Sequence, residues 1–265
     1  MALTDVRVLD SITQLDDDAT GVVVAASHAG RYAGYLAVAN GATAVVLNDA
    51  GVGKDDAGIG SLPMLAAVDC AAVAVDHDTA RIGDGLDAVA SGRVSRVNET
   101  ARALGCDVGQ DVLDCVEQLR DAPEPGTVPS PGSGRYELDD GDPPVLGMDS
   151  LSLIRPDDAG VVAITGSHGA RLTGERTSYI QGDVGAVAFN DAGGGKDDAG
   201  TSRLPVLADR GIPAVTVAHD SARIGDARST WETGVVSAAN HPARALGVEP
   251  GHSCREFAHL VREGR

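Results

Sequence analysis

The chain has 265 residues and a formal net charge of −18, with 39 acidic residues against 21 Lys and Arg. Apolar residues make up 43%, enough for a core, but only 3% are aromatic, so Ala, Val, Leu and Gly must fill the interior. This balance argues against a nucleic-acid partner, since no basic patch or aromatic platform is present, and no apolar run approaches the ~20 residues of a membrane span.

Met1 to Leu15 lacks the charged-then-apolar order of a secretory signal. Cys70, Cys106, Cys115 and Cys254 show no CxxC spacing and read as small buried apolar residues in a reducing, cytoplasmic setting. The acids are scattered, Asp is abundant, and Lys is almost absent. Such a surface is similar to that of cytoplasmic proteins adapted to high salt, where screening relieves self-repulsion. We prefer that halophilic reading to a surface built for a basic partner.

In chain order, residues 21–26 (Gly-Val-Val-Val-Ala-Ala) form a short apolar run of the kind found in buried parallel strands, and a helical stretch follows. Residues 42–47 read as a second strand, 62–67 as a helix, and 71–76 as a third strand. Residues 93–97 read as a weaker fourth strand, after which Asn98 caps a helix. Residues 121–144 are dense in Pro, Gly, Ser and acids, without apolar periodicity. The series then recurs: strands at 160–165, 185–189, 214–218 and 235–239, a helix at 204–210, and a helix capped by Asn240 with Pro242 in its first turn.

The recurrence extends to sequence. Residues 48–105 align without a gap on residues 190–247, and more than half of the positions are identical. Upstream, Ser27-His28 matches Ser167-His168, and Asp10-Ser11 matches Asp149-Ser150. The predicted fold is therefore α/β, a tandem duplication of a three- to four-stranded parallel β/α unit in a pseudo-twofold arrangement. Residues 1–120 form the first repeat, 121–147 a Pro/Gly-rich acidic linker and 148–265 the second repeat.

Parallel strands end on one edge, where such folds place ligands. The loops expected there carry the polar residues common to both copies. One is Asn48-Asp49-Ala50-Gly51-Val52-Gly53-Lys54-Asp55-Asp56, repeated as Asn190-Asp191-Ala192-Gly193-Gly194-Gly195-Lys196-Asp197-Asp198. Lys54 and Lys196 are the only lysines; every other cation is Arg, so the ammonium at these two places suggests a task that a guanidinium cannot do. The motif is not a P-loop, because Asn48 stands where that pattern needs Gly and Asp55 where it needs Ser or Thr.

These residues predict an enzyme acting on a small anionic metabolite. Lys54 or Lys196 polarises the reacting group or shuttles a proton, tuned by Asp49 and Asp55 or by Asp191 and Asp197. His28 or His168 is the second acid–base group. Arg81 or Arg223 holds the anion, together with Asn48 or Asn190 and the turn amides of Gly51, Gly53, Gly193 and Gly195. Hydrolysis of a C–N bond is preferred to a lyase step through a lysine imine. A non-catalytic binding or sensor module on the same loops is the alternative.

Each feature also has a structural reading. The glycines can serve tight turns, the lysines can pair with Asp49 or Asp84, and the arginines can brace acids. No cofactor is required; a divalent cation on Asp49, Asp55 and Asp84, or on His77 or His219 with Asp78 or Asp220, is left open. A homo-oligomer is compatible with all of this.

The charge makes a prediction of its own. The urea midpoint should rise steeply from dilute buffer to molar KCl, because screening relieves the repulsion of the −18 charge. A flat profile would remove the salt-adaptation reading.

Overall fold

The computed structural model describes residues 6–17, 19–173, 180 and 182–264. Successive residues of the apolar runs face opposite sides of a sheet, and in both halves both sides are covered. In the first half, Val23, Ala25, Val45 and Leu47 pack on one face, while Val22, Val24, Ala44 and Val46 pack on the other. Because both faces are buried, these strands read as continuous apolar runs and not as alternating ones.

The first sheet has the order β1 (Val6–Leu9), β2 (Gly21–His28), β3 (Ala42–Asn48), β4 (Ala71–Val75) and β5 (Val94–Val97). Helices α1 (Arg31–Ala39) and α2 (Ser61–Ala66) lie on one side. Helices α3 (Gly85–Ser91), α4 (Glu99–Ala103) and α5 (Val112–Leu119) complete this half. The second sheet has the order β11-β10-β9-β8-β7-β6. Its strands are β6 (Arg135–Asp139), β7 (Val145–Met148), β8 (Val162–His168), β9 (Ala186–Asn190), β10 (Ala214–Val217) and β11 (Val236–Ala239). Its helices are α6 (Arg203–Asp209), α7 (Ala227–Thr233), α8 (His241–Ala245) and α9 (Cys254–Glu263).

The protein is thus α/β, with two similar units built on mixed, mostly parallel sheets of five and six strands. Two features correct the expectation of three- to four-stranded parallel units. First, β1 and β7 precede the first strand expected from sequence, as four-residue segments too short to show a pattern. All of β6, and β7 up to Gly147, lie in the stretch read as linker, with β6 antiparallel to β7. Second, β5 and β11 run antiparallel to their neighbours. The seven-residue α3 lies against β1 and β2 without carrying the chain back along the sheet, so Val94 starts level with Val75, at the end of β4. The expected helical stretch after β8 falls largely on residues outside those described. No helix among the described residues is long and apolar enough to cross a membrane.

The asparagine caps behave as expected and do more. Asn98 accepts from the Ala101 amide at the start of α4 and from the Ala72 amide in β4, while its amide group donates to the Cys70 carbonyl. Asn240 repeats this with Ala243, Ala214 and Ile212. One side chain therefore satisfies a helix end and fixes it to the neighbouring strand, which a Ser or Asp cap could not do.

The turn after β3 is strained. Val52 has φ of 62°, a left-handed conformation rare for a β-branched residue, whereas Gly194 takes the same place in the second half with φ of 74°. Val52→Gly should therefore raise the urea midpoint, reflecting a gain of up to ~1 kcal/mol in stability after allowing for the extra entropy of an unfolded glycine. The reciprocal Gly194→Val should lower it, and equal midpoints for both variants would rule out this account of the turn.

Candidate functional site

The polar loops expected at one edge are there, and each reaches into the opposite half. The Lys54 amide donates to the His219 carbonyl at 2.9 Å, and the Lys196 amide to the His77 carbonyl at 2.8 Å. Gly51 and Gly193 meet backbone to backbone: a Cβ on Gly51 would lie 2.9 Å from the Gly193 Cα and 2.9 Å from His219 Cδ2. A Cβ on Gly193 would lie 2.7 Å from His77 Cδ2. Beside them Ala50, Ile82, Ala192 and Ile224, with Ala170 and Ala199, form a small apolar cluster shared by the halves.

Most residues singled out in the sequence are engaged in this junction. The Lys54 ammonium donates to Thr233 Oγ1 at 2.8 Å and to the Ser221 carbonyl at 3.2 Å. Lys196 binds both oxygens of Asp87, at 2.7 and 3.0 Å. Neither pairs with Asp49 or Asp84. Arg81 donates to Asp197 at 2.9 Å and Arg223 to Asp55 at 2.9 Å, again across the halves. Asn48 and Asn190 are buried pins, holding the Ala80 and Ala222 carbonyls and the Ala50 and Ala192 amides. The Gly51 and Gly193 amides bind the carboxylates of Asp49 and Asp191, and the Gly53 amide binds the Gly51 carbonyl. These amides therefore do not form a free cradle.

Asp49 orients a histidine and not a lysine. Its Oδ1 lies 2.9 Å from His77 Nδ1, and Asp191 Oδ1 lies 3.3 Å from His219 Nδ1. The carboxylate hydrogen bond raises the pKa of each ring against the opposing effect of burial. Burial pushes the Asp49 carboxyl up, but hydrogen bonds from His77 and its neighbours outweigh it and leave it below the usual range.

Asp49, Asp76 and His77 could each offer an atom to a cation, and are the sole such group among the described residues. Ala218 stands where Asp76 would recur, so the second half does not repeat it. The cation set of Asp49, Asp55 and Asp84 is not assembled. Asp55 pairs with Arg223 and Asp84 caps α3.

Where the ends of β2 and β8 approach, a cavity of about 900 Å³ opens between the halves. Of the residues proposed from sequence, it brings together His28, His168, Asp55 and Arg223. Lys54, Lys196, Asp49, Asp191, Asp197 and Arg81 are not among its lining residues. Ser27 and Ser167 have the strand-end role expected of them, accepting from the Ile12 and Leu151 amides at 2.9 and 2.8 Å. His28 Nδ1 lies 3.1 Å from the Gly30 amide, and His168 Nδ1 lies 3.3 Å from the Ala170 amide. A ring nitrogen that accepts a backbone N–H is unprotonated, so the ring proton sits on Nε2. Burial pushes the His28 pKa down to about 4. Burial, with help from Arg203 and His28, pushes that of His168 down to about 3. Both are neutral hydrogen-bond donors at neutral pH.

Other lining residues could not be found by comparing the repeats. Tyr136 lies in the stretch read as linker, where its hydroxyl donates to Asp149 at 2.9 Å and Arg228 stacks 3.8 Å from its ring centre. Arg203 borders an adjoining cavity of about 480 Å³, and its counterpart in the first half is Ser61. Agreement between copies points away from such residues; their signal is a local disagreement. In comparisons with known proteins, the chain matches no family model, no curated protein and no solved structure.

The lowered pKa values of His28 and His168 make stability depend on pH. An unfolded histidine titrates near ~6.5, so the unfolded chain binds protons that the folded rings refuse as pH falls below that value. Stability should fall from pH 6.5 towards 4.5, by roughly 2 kcal/mol for His28 over that window. His77 and His219 act in the opposite sense: their raised pKa gives stability that is present below ~6.5 and lost as pH rises through their folded values. The urea midpoint of a His28→Gln/His168→Gln protein should vary less between pH 6.5 and 4.5. An unchanged slope would refute the assignment.

Proposed function

We propose that this chain takes up a small anionic metabolite in the cleft between its halves and acts on it as a hydrolase, with His28 and His168 as electrophilic groups. The observation behind this reading is the convergence of two matching neutral imidazoles, His168 buried and His28 partly buried, on one cavity. Neither Nε2 has a protein partner among the described residues. A neutral imidazole that donates from Nε2 can bind a carbonyl oxygen and stabilise the negative charge that develops there when water adds. Hydrolysis of a C–N bond needs that stabilisation: water adds to the carbon, charge gathers on oxygen, and the nitrogen leaves with a proton. The two histidines are thus assigned to polarisation and not to proton abstraction, since their Nδ1 lone pairs already face backbone amides.

The lysine-imine alternative has less support. Imine formation needs an unprotonated amine, whereas Lys196 is held in an ion pair and Lys54 in two donated hydrogen bonds. The matched contacts across the halves also fit descent by duplication around a pseudo-twofold axis. A charge of −18 fits the halophilic reading made from sequence.

The test is a thermal-shift screen of small carboxylates, phosphates, amides and ureas in molar KCl, followed by an assay of ammonia or amine release from every binder. His28→Ala and His168→Ala should each weaken binding at least tenfold, and should lower turnover by ~10²–10³, as loss of an oxyanion donor does. The double Lys54→Arg/Lys196→Arg protein should retain binding. The reverse pattern, with the lysine variant inactive and the histidine variants unaffected, would overturn the assignment.

A further inference from the structure

Arg203 opens α6 where Ser61 opens α2. Ser61 is buried and satisfied, its hydroxyl donating to the Ala29 carbonyl at 2.7 Å. Arg203 is a different case. Its residue is 5% exposed, one amino group donates to the Ala170 carbonyl, and its Nε is buried without a partner. The guanidinium carbon lies 5.6 Å from the centre of the Phe189 ring. No acid among the described residues pairs with it, although the chain carries 39. Burial pushes its pKa down to about 10, and the charge acting on it comes from another cation, Arg171. A buried charge without a counter-ion is expensive and is retained where something else compensates it.

The cavity that Arg203 borders supplies the remaining chemistry. Hydroxyl pairs enter from both halves, Ser11 with Thr13 and Ser150 with Ser152, and Gln14, Ser167 and His168 add to the polar lining. None of the described residues lining it is acidic. In a protein of this charge, a half-open cavity with one buried guanidinium, several hydroxyls and no carboxylate among its described lining residues suits an anion.

We infer that Arg203 and these hydroxyls form a subsite for an oxyanion group, carboxylate or phosphate, of a small metabolite. The inference rests on the reading of the larger cavity as a ligand site, with which this one shares Ser11, Thr13, Ser150, Ser167 and His168. It also gives the two halves different tasks: the second half anchors the anion, and the first, with Ser61 in place of the arginine, does not.

The experiment uses the full chain with inorganic phosphate and with acetate as separate probes, at ionic strength held constant with KCl. The melting temperature of the wild type should rise with at least one probe, and the probe that acts identifies the anion. Arg203→Met should remove that rise while melting no lower than the wild type in probe-free buffer, because it exchanges an uncompensated buried charge for an apolar side chain. Arg203→Ser, the residue of the first half, is the second variant and should also lose the response. A wild type that responds to neither probe would overturn the inference, as would variants that keep the response. So would an Arg203→Met protein that melts well below wild type, since that is the behaviour of a structural brace. His28→Ala should keep the anion response. Loss of the response in the Arg203 variants, with metabolite binding unaffected in His28→Ala, would uphold the subsite and remove the histidine-based reading.

Discussion

The close approach of Gly51 to Gly193 sets the positions of the other polar groups. With no side chain at either position, the two turns lie backbone to backbone, and His219 and His77 close over them from the opposite halves. The Lys54 and Lys196 amides can then reach the histidine carbonyls across the junction. Any side chain at either glycine would meet the opposite half at 2.7–2.9 Å, inside van der Waals contact, so the backbones or the histidines there would have to shift. The positive φ of 72° at Gly51 and 80° at Gly193 gives a second reason for glycine.

That junction absorbs most of the polar residues on which the repeats agree. Asp49 and Asp191 hold the histidines, Asn48 and Asn190 pin the loops, and Arg81 and Arg223 reach acids of the opposite half. The exposed Arg–Asp pairs contribute modestly to stability, since such pairs are worth at most ~1 kcal/mol and less in high salt. Their value lies in register, because each guanidinium fork fits its carboxylate in one docking of the halves. The strain carried at Val52 and in the adjoining turns fits a segment shaped by its neighbours more than by local preference.

The halves then diverge around the cavities. Lys196 meets the carboxylate of Asp87, but Lys54 finds Ser229 at the equivalent place and turns to Thr233 and the Ser221 carbonyl. Ser61 is replaced by Arg203, and a helix packs beside Ser61 so closely that a Cβ on Gly34 would lie 2.5 Å from the serine Cβ. The junction is built from matched residues, while the cavities combine matched residues, His28 with His168 and Ser27 with Ser167, with unmatched ones such as Tyr136 and Arg203.

The sequence by itself determined what depends on neighbours along the chain. Apolar runs placed β2, β3, β4 and their counterparts, and the two asparagine caps followed from local hydrogen bonding. The gap-free repeat identified two similar units. It did not show the direction of β5 and β11, which follows from the path of a short helix over the sheet. Nor did it show which groups the lysines and arginines would meet. Arg81 meets Asp197 at a separation of 116 residues, and Lys54 meets Thr233 at 179. Matching one copy against the other ranks positions by agreement but says nothing of which half a side chain enters. Tyr136 and Arg203 were invisible to it for that reason. The cavity and its neutral histidines arise only when the two strand edges come together and exclude water, and burial of that kind is a property of the tertiary structure.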